Sequence, residues 1–435
     1  MKQVILARAP LALSLSDSFI AFPLSSGMQS ADLSRTPFPT GGTLGKMFVW
    51  LDATPASGTT KVFTLYINGS PTACVVTIND TGPSGQYTGA AVAINSGDYV
   101  YIAYTHTGTP GSSAAATISF EFTGTSASTS VYCGGAIPLT STTPRWFECF
   151  NPSDFINTTA LIQSNCVVSA PGTITAMYFS IGAAAGTTGS YKVTIYKNGT
   201  AQDGTGGTPD TRITITNVIT RVDSSAAFSL PVVAGDLLVI QCDGISTPSS
   251  KTGALALRFV ATNDGESNLS FALPSFPSSV GATSYNTKRY GSLSWNAVTA
   301  REIYIAAKFK LQNFYMYFTV APGATKSRTF VSVNNGSTGA NTITVADANT
   351  TGSDLTHKET YAAAGDRFAV QESAVANTPT ASLGSMGFTM FIQPGGNAGK
   401  GDSGNKSGGG GVHLLQPGGA LYMNIGNAGL DIVSD

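Results

Sequence analysis

The sequence predicts an all-β protein of three tandem antiparallel β-sandwich domains, with an N-terminal arm and a Gly-rich C-terminal extension. Three observations predict it. A set of short landmarks recurs three times in the same order. Strand-like runs alternate apolar and polar residues between Gly, Pro, Asn and Ser. No stretch carries the periodicity of an amphipathic helix.

The landmarks are clearest between Ala170 and Gln241: Met177-Tyr178-Phe179, then Tyr196-Lys197-Asn198-Gly199, then Ala234-Gly235-Asp236. Upstream stand Met47-Phe48, Asn68-Gly69 and Ser96-Gly97-Asp98; downstream stand Met316-Tyr317-Phe318, Asn335-Gly336 and Ala364-Gly365-Asp366. Met47 to Asn68 and Met177 to Asn198 are equally far apart, whereas Met316 to Asn335 is two residues shorter. The period is domain-sized, well above the roughly 20–50 residues of a solenoid repeat, so each copy should own a core. A length of 435 residues also suits about three domains. The expected order is an arm at 1–18, sandwiches at 19–128, 129–264 and 265–394, and a linker with short strands at 395–435. The boundaries fall in the polar stretches 124–130 and 263–268.

Taken in order, Met1 to Ser16 has a faint look of a signal peptide, but Arg8 and Pro10 interrupt the apolar run and no clean cleavage site follows. An apolar arm that docks on a neighbour is the preferred reading. No run reaches transmembrane length. Ahead of each Met-aromatic strand lies a lead-in with aromatics: Phe19 and Phe22, then Trp146, Phe147 and Phe150, then Tyr290 and Trp295. These read as first strands or packing between domains, with ligand stacking as the alternative.

Asn68-Gly69 and Asn198-Gly199 directly follow strands, and Asn-Gly best tolerates the positive φ values of a type I′ hairpin turn. The same sites match Asn-x-Ser/Thr, but the turn also explains the glycine and the flanking strands. In the third copy Val331 and Val333 alternate out of phase with Val193 and Ile195, which predicts a bulge or a longer turn near Asn334. The Gly-Asp sites read as turns opening a buried strand; Asp98, Asp236 and Asp366 lack nearby carboxylates at metal-ligand spacing. A final strand recurs as Ile118 to Phe122, Leu255 to Phe259 and Phe388 to Ile392. Beyond it, residues 395–411 are a low-complexity Gly-rich run, expected to be a flexible linker or extended arm. The tail around Leu421 to Ile425 and Leu430 to Val433 is too small to fold alone and is expected to add to a sheet of this chain or a neighbour.

Charged residues make up 11% of the chain, against roughly 25% in an ordinary soluble domain, while 42% of residues are apolar. That combination gives packed cores under a neutral surface. A formal net charge of −1 without a Lys/Arg cluster argues against nucleic-acid binding, and near-zero charge suits a protein held in an assembly. The five cysteines, Cys74, Cys133, Cys149, Cys166 and Cys242, form no C-x-x-C pair and do not repeat between copies. They read as buried thiols rather than a disulfide or zinc framework.

The search for chemistry leaves no catalytic, cofactor or metal site to assign. Gly399-x-Gly401-x-x-Gly404 matches a dinucleotide fingerprint in letters only, because no strand-turn-helix context surrounds it. Gly399-Lys400 fails the P-loop pattern at Pro394 and Gly401. His106, His357 and His413 fall at unrelated positions, and Glu148, Glu302 and Glu372 are equally scattered, which leaves a glycosidase-type carboxylate pair unsupported.

About eight strand candidates per copy favour a jelly roll over a seven-stranded immunoglobulin sandwich. Tyr196-Lys197-Asn198-Gly199, Thr351-Gly-Ser-Asp354-Leu-Thr-His357 and Ala364-Gly365-Asp366 together resemble repeat units in structural proteins of tailed bacteriophages, within a wider likeness to viral and C1q/TNF-like jelly rolls. The resemblance covers most of residues 40–393, although the Thr-Gly-Ser-Asp segment is complete only in the third copy. It implies a non-enzymatic virion component, assembled in the bacterial cytoplasm: a surface decoration or cement protein, or a head fibre. Its partners would be other virion proteins of capsid or tail, and itself as a trimer or pseudo-trimer, with no nucleic acid, membrane or cofactor. The alternative is a tail-fibre or adhesin module binding a host surface glycan.

Overall fold

The computed structural model describes residues 2–9, 13, 18–21, 36–108, 116–139, 143–150, 155–156, 165–186, 189–216, 220–223, 228–276, 284–286, 302–363, 365–373 and 382–392. Met1–Gly395 forms one compact body. The Gly-rich extension, the dinucleotide-like glycines, His413, Phe22, Tyr290 and Trp295 lie outside the described residues.

The fold is all-β, as the sequence predicts, and consists of three jelly rolls. Sandwich 1 holds β1 (Lys2–Ala9), β2 (Ser18–Ala21), β3 (Thr36–Pro37), β4 (Gly42–Leu51), β5 (Thr60–Ile67), β6 (Ser70–Ile78), β7 (Ser84–Gln86), β8 (Val92–Ile94), β9 (Tyr99–Thr107) and β10 (Ala116–Gly124). Sandwich 2 holds β11 (Thr129–Leu139), β12 (Arg145–Glu148), β13 (Phe155–Ile156), β14 (Cys166–Val167), β15 (Gly172–Ile181), β16 (Ser190–Lys197), β17 (Thr200–Ala201), β18 (Ile213–Thr216), β19 (Thr220–Asp223), β20 (Leu230–Val232), β21 (Leu237–Ile245) and β22 (Lys251–Ala261). Sandwich 3 holds β23 (Glu266–Phe276), β24 (Ser284–Asn286), β25 (Ile303–Tyr304), β26 (Phe309–Phe318), β27 (Gly323–Asn334), β28 (Ser337–Asp347), β29 (Thr351–Tyr361), β30 (Arg367–Glu372) and β31 (Ser382–Ile392).

One sheet of each sandwich runs β1-β10-β4-β7, β11-β22-β15-β19 and β23-β31-β26-β29; the other runs β2-β9-β5-β6, β12-β21-β16-β17 and β24-β30-β27-β28. Counting broken strands once, both sheets follow the orders 1-8-3-6 and 2-7-4-5 in every copy. This is the double Greek key of a jelly roll, a strand order that periodicity alone leaves open. Three clusters of buried side chains fill the sandwiches, centred on Phe63, Phe120 and Ile102, on Met177, Ile195 and Leu257, and on Phe314, Phe330 and Phe388. All five cysteines are buried and unpaired within them or between them. The only helical turn among the described residues is Thr205–Gly207, so no helix there is long and apolar enough to cross a membrane.

Two sequence expectations change, and a third is narrowed to one of its alternatives. Lys2–Ala9, expected as an arm toward a neighbour, is the edge strand β1, paired antiparallel with β10 from Lys2↔Thr123 to Ala9↔Ala116. It occupies the place that β11 and β23 take in the other copies, so the apolar N-terminal run is consumed by its own sheet. The third Met-aromatic landmark also shifts. Tyr315 lies opposite Gly387 as Phe48 lies opposite Ser119 and Tyr178 opposite Ala256, so Phe314, and not Met316, matches Met47 and Met177. The spacing to Asn-Gly is then equal in all copies: 68 − 47, 198 − 177 and 335 − 314 each give 21.

Near Asn334 the turn is not longer: Asn334 pairs with Ser337 across two residues, as Ile67 pairs with Ser70. Of the two expected alternatives the bulge is the one present, between Val331 and Val333 with the extra residues on β28, and it is not peculiar to the third copy, since sandwich 1 has the same irregularity between Thr64 and Tyr66. The inward positions of β27 are Arg328, Phe330 and Ser332, all at or below 1% exposure. They stand in register with Lys61, Phe63 and Leu65 and with Tyr191, Val193 and Ile195. Polar residues on the inner face made the valines look like the core side.

Gly172 opens β15 where the backbone runs against β22: a Cβ there would sit 2.4 Å from the Val260 carbonyl oxygen and 2.5 Å from Phe259. Gly82 has open space around it. Gly172→Ala should therefore cost about 1–3 kcal/mol in chemical denaturation, and Gly82→Ala should stay within about 0.5 kcal/mol. Equal effects would refute the close approach.

Candidate functional site

The recurring Asn-Gly and Gly-Asp landmarks meet in space. Asn68, Asn198 and Asn335 have φ of 51, 50 and 51° and the following glycines 84, 80 and 81°, the left-handed pair that a type I′ turn needs. Each asparagine amide donates to the aspartate ahead of the next strand: Asn68 to Asp98 at 2.7 Å, Asn198 to Asp236 at 2.8 Å and Asn335 to Asp366 at 3.0 Å. Each asparagine Oδ1 accepts the N–H of the following residue, Tyr99, Leu237 or Arg367. The other aspartate oxygen accepts the N–H of Asn95, Val233 or Ala363. The aspartates thus tie two turns of one sandwich together. The asparagine amides are engaged inside the chain, which favours the turn over glycan attachment. Among the described residues no group of three or more His, Cys, Asp or Glu is placed to hold a metal ion.

These clasped ends face the neighbouring sandwich. β3 packs on β11, β22 and β15; β14 packs on β23, β31 and β26; β25 packs on β10. Strands β3, β14 and β25 are equivalent, and so are the strands they touch, so sandwich 1 leans on 2, 2 on 3, and 3 back on 1. That is a heterologous contact that closes into a ring with pseudo-threefold symmetry. At the joint from 3 to 1, Tyr304 stacks on Trp50 at 4.3 Å and on Phe48 at 6.2 Å, while a Cβ on Gly365 would lie 3.2 Å from Phe48. From 1 to 2, the Ser96 and Tyr178 hydroxyls are 2.7 Å apart, and Ala176, Tyr178 and Ala256 join the core cluster of sandwich 1. The Gln3 amide there makes both backbone bonds of edge-strand residue Val131, donating to its carbonyl at 2.8 Å and accepting its N–H at 2.7 Å. From 2 to 3, Asn268 Oδ1 accepts the N–H of Ser169 and Ala170, each at 2.8 Å, and the Asn268 N–H donates to Tyr132 Oη at 2.6 Å. These bonds satisfy polar backbone where edge strands would otherwise stand unpaired.

Sandwich 3 differs inside. Arg328 and Glu372, both at least 95% buried, form an ion pair, and Ser332 and Asn341 donate to Glu359 beside it. Burial pushes the Glu372 carboxyl up to about 7, with Arg328 pulling the other way. Asp354, from the Thr-Gly-Ser-Asp segment, closes the outer edge of β28. Burial alone would raise its carboxyl, but the N–H groups of Thr342, His357 and Thr356 and the His357 ring hold it at about 2.

The other sequence candidates stay apart. His106 sits on β9 opposite Lys61, and His357 belongs to the Asp354 turn in another sandwich. Glu302 bonds Arg367 at 2.8 Å, Glu372 bonds Arg328, and Glu148 is buried on β12. The lead-in aromatics that are described serve as first strands and packing: Phe19 and Tyr66 flank Tyr101 at 5.5 and 5.2 Å, and Trp146 meets Tyr196 edge-on at 5.0 Å. Tyr101 and Trp146 are only 3% and 7% exposed. Sequence reasoning missed the ring contacts of Gln3, Asn268 and Tyr304, which recur in no motif.

No family model matches the chain, and no curated protein matches it. Among solved structures it is similar to broad bean stain virus (11% identity, 60% of this chain and 88% of the other, TM-score 0.19). It is also similar to the infectious bursal disease virus VP2 subviral particle (9% identity, 90% of this chain and 81% of the other, TM-score 0.17). Scores this low carry no information about what this chain does.

Asn335→Gly keeps the positive φ and deletes the clasp, so it should lower stability by about 1–3 kcal/mol; an unchanged denaturation midpoint would show the clasp to be ornamental. A second expectation concerns pH. The folded value of Glu372 lies above the ordinary 4.5, so the stability from this proton is fully present below about pH 4.5 and lost as pH rises through about 7. Hydrogen exchange in β30 should quicken across that window beyond its intrinsic pH dependence, and Glu372→Gln, which mimics the protonated acid, should abolish the excess.

Proposed function

We propose that this chain is a structural component of a tailed-phage virion, a surface decoration or cement protein or a head fibre, that works through protein-protein contacts and transforms no substrate. The observation that carries the reading is the closed ring of three jelly rolls. A single chain reproduces the form of a trimer, poor in charged residues and with buried polar groups that serve packing. The phage-like landmarks support it, since the Asn-Gly and Gly-Asp motifs that carry the resemblance are the ones that hold the turns at the ring joints. Its place would be the virion, and its partners other capsid or tail proteins.

The glycan-binding alternative needs aromatic faces open to stack on sugar rings. The described clusters around Tyr101 and Trp146 are packed against their own sheets, which favours the structural role. Proteomic mass spectrometry of density-purified particles tests the proposal: the chain should co-purify at a fixed ratio to the major shell protein. Its recovery only in the particle-free fraction would end the reading.

A further inference from the structure

Sandwich 2 breaks the first strand of its second sheet in two. β12 and β14 lie on the same side of β21 and both run antiparallel to it: Glu148 is opposite Val239, and Cys166 is opposite Leu238. Carried one residue further, the register of β12 brings Cys149 to the same Leu238, so the two cysteines meet where one half hands over to the other. Directly opposed residues of paired strands share a face, and so do alternate residues along a strand. Cys166 therefore faces the way Leu238 does, and Cys149 the way Phe147 does, which is opposite Ile240; all five belong to the core of sandwich 2. Both thiols are fully buried there, and the backbone of Phe150 and of Cys149 hydrogen-bonds the Cys166 sulfur.

The same break occurs in the other copies, between β2 and β3 and between β24 and β25. The place of Cys166 is taken there by Thr36, opposite Val100, and by Ile303, opposite Phe368, so the position needs no sulfur to pack. The other thiols stand apart: Cys74 lies on β6, Cys133 on β11, and Cys242 opposite Arg145 at the far end of β12. Only sandwich 2 brings two thiols to one point. The halves that they end are short, four residues in β12 and two in β14, so few ladder bonds hold them. A covalent link between the sulfurs would tie both halves together and close the loop between them, which removes entropy from the unfolded chain.

We propose that Cys149 and Cys166 are a latent disulfide site, closed by a small-molecule disulfide such as oxidised glutathione. One cysteine loses its proton and attacks the reagent's S–S bond, which breaks and releases one small thiol. The second cysteine, deprotonated in turn, attacks the mixed disulfide at the protein sulfur and releases the other small thiol. Two electrons pass to the reagent, and its two halves carry off both protons. Burial pushes the Cys166 thiol up to about 12 and raises that of Cys149 as well. Reaction therefore waits on local opening of the short halves and is slow. The site is independent of the virion reading and stands whatever the chain assembles with.

The test uses the full chain, folded and reduced, incubated overnight with oxidised glutathione at about pH 8. The sample is quenched in acid, unfolded, alkylated with N-ethylmaleimide and mapped by mass spectrometry without reduction. Of the five thiols, three should be alkylated, and one peptide pair should be joined through Cys149 and Cys166. The melting temperature should rise by about 5 °C over the reduced chain and return on treatment with dithiothreitol. Cys149→Ala and Cys166→Ala should each lose the link and the rise, whereas Cys242→Ala should keep both. Five alkylated thiols, glutathione retained on Cys149 or Cys166, or a link through Cys74, Cys133 or Cys242 overturns the proposal. The peptide map of the unaltered chain decides the matter even where an alanine variant folds poorly.

Discussion

The clasp between an asparagine in one turn and an aspartate in another is the interaction on which the architecture rests. A hairpin of positive-φ residues is a local event, and so is a Gly-Asp turn; each alone would leave the end of a sandwich free to splay. The carboxylate accepts from the amide and from a backbone N–H of its own turn, while the amide oxygen takes the N–H of the next strand. Two loops become one rigid corner without a metal or a disulfide. Charge-assisted bonds of this kind are stronger than neutral ones, and three copies place them where the ring joints form.

Ring closure then solves a problem that tandem β-domains carry with them. Each sandwich ends in edge strands whose unpaired groups invite other chains. Here β11 is met by the Gln3 side chain acting as a surrogate strand, and β23 is met through Asn268 by the turn at Ser169 and Ala170. The joint from 3 to 1 has no linker across it and carries the stacking of Tyr304 with Trp50 and Phe48 beside the packing of β1 on β31. The two linked joints use the hydrogen bonds of Gln3 and Asn268 and the side chain of Tyr178, and the unlinked joint carries the stacked rings of Tyr304, Trp50 and Phe48.

How much of this was legible depended on whether a residue's role was local. The strands, the type I′ turns and the triplication could be read because Asn-Gly and Gly-Asp obey backbone constraints that look alike in every copy. The partnership between them could not, since nothing in a linear sequence marks which turn meets which. Matching Met316 to Met47 failed because Phe314 and Met316 are successive inward positions of β26 just after its bulge, so they carry the same apolar signal. Val331 and Val333 misled because Arg328 and Ser332 occupy the inner face, an arrangement that periodicity reads as inverted. The N-terminal run looked like an arm because its pairing partner, β10, lies more than a hundred residues away in sequence, and strand pairing at that distance has no local signature.

Triplication also frees the copies to differ inside while keeping one outline. At the same inward position the three sandwiches carry Lys61, Tyr191 and Arg328, all at or below 1% exposure. Tyr191 reaches the Ser249 carbonyl. Arg328 is balanced by Glu372 and lies 5.6 Å from the Phe276 ring. The Lys61 ammonium has no hydrogen-bond partner among the described residues, and burial lowers its pKa against the pull of Asp52, which moves it toward the neutral amine that an apolar end can hold. A long side chain with a polar head fills the end of every sandwich, yet one is neutral, one titrates downward and one needs a counter-ion. The shape of that position is therefore what the fold requires, and its charge is settled separately in each copy, a freedom that three identical subunits encoded by one shared sequence would not have.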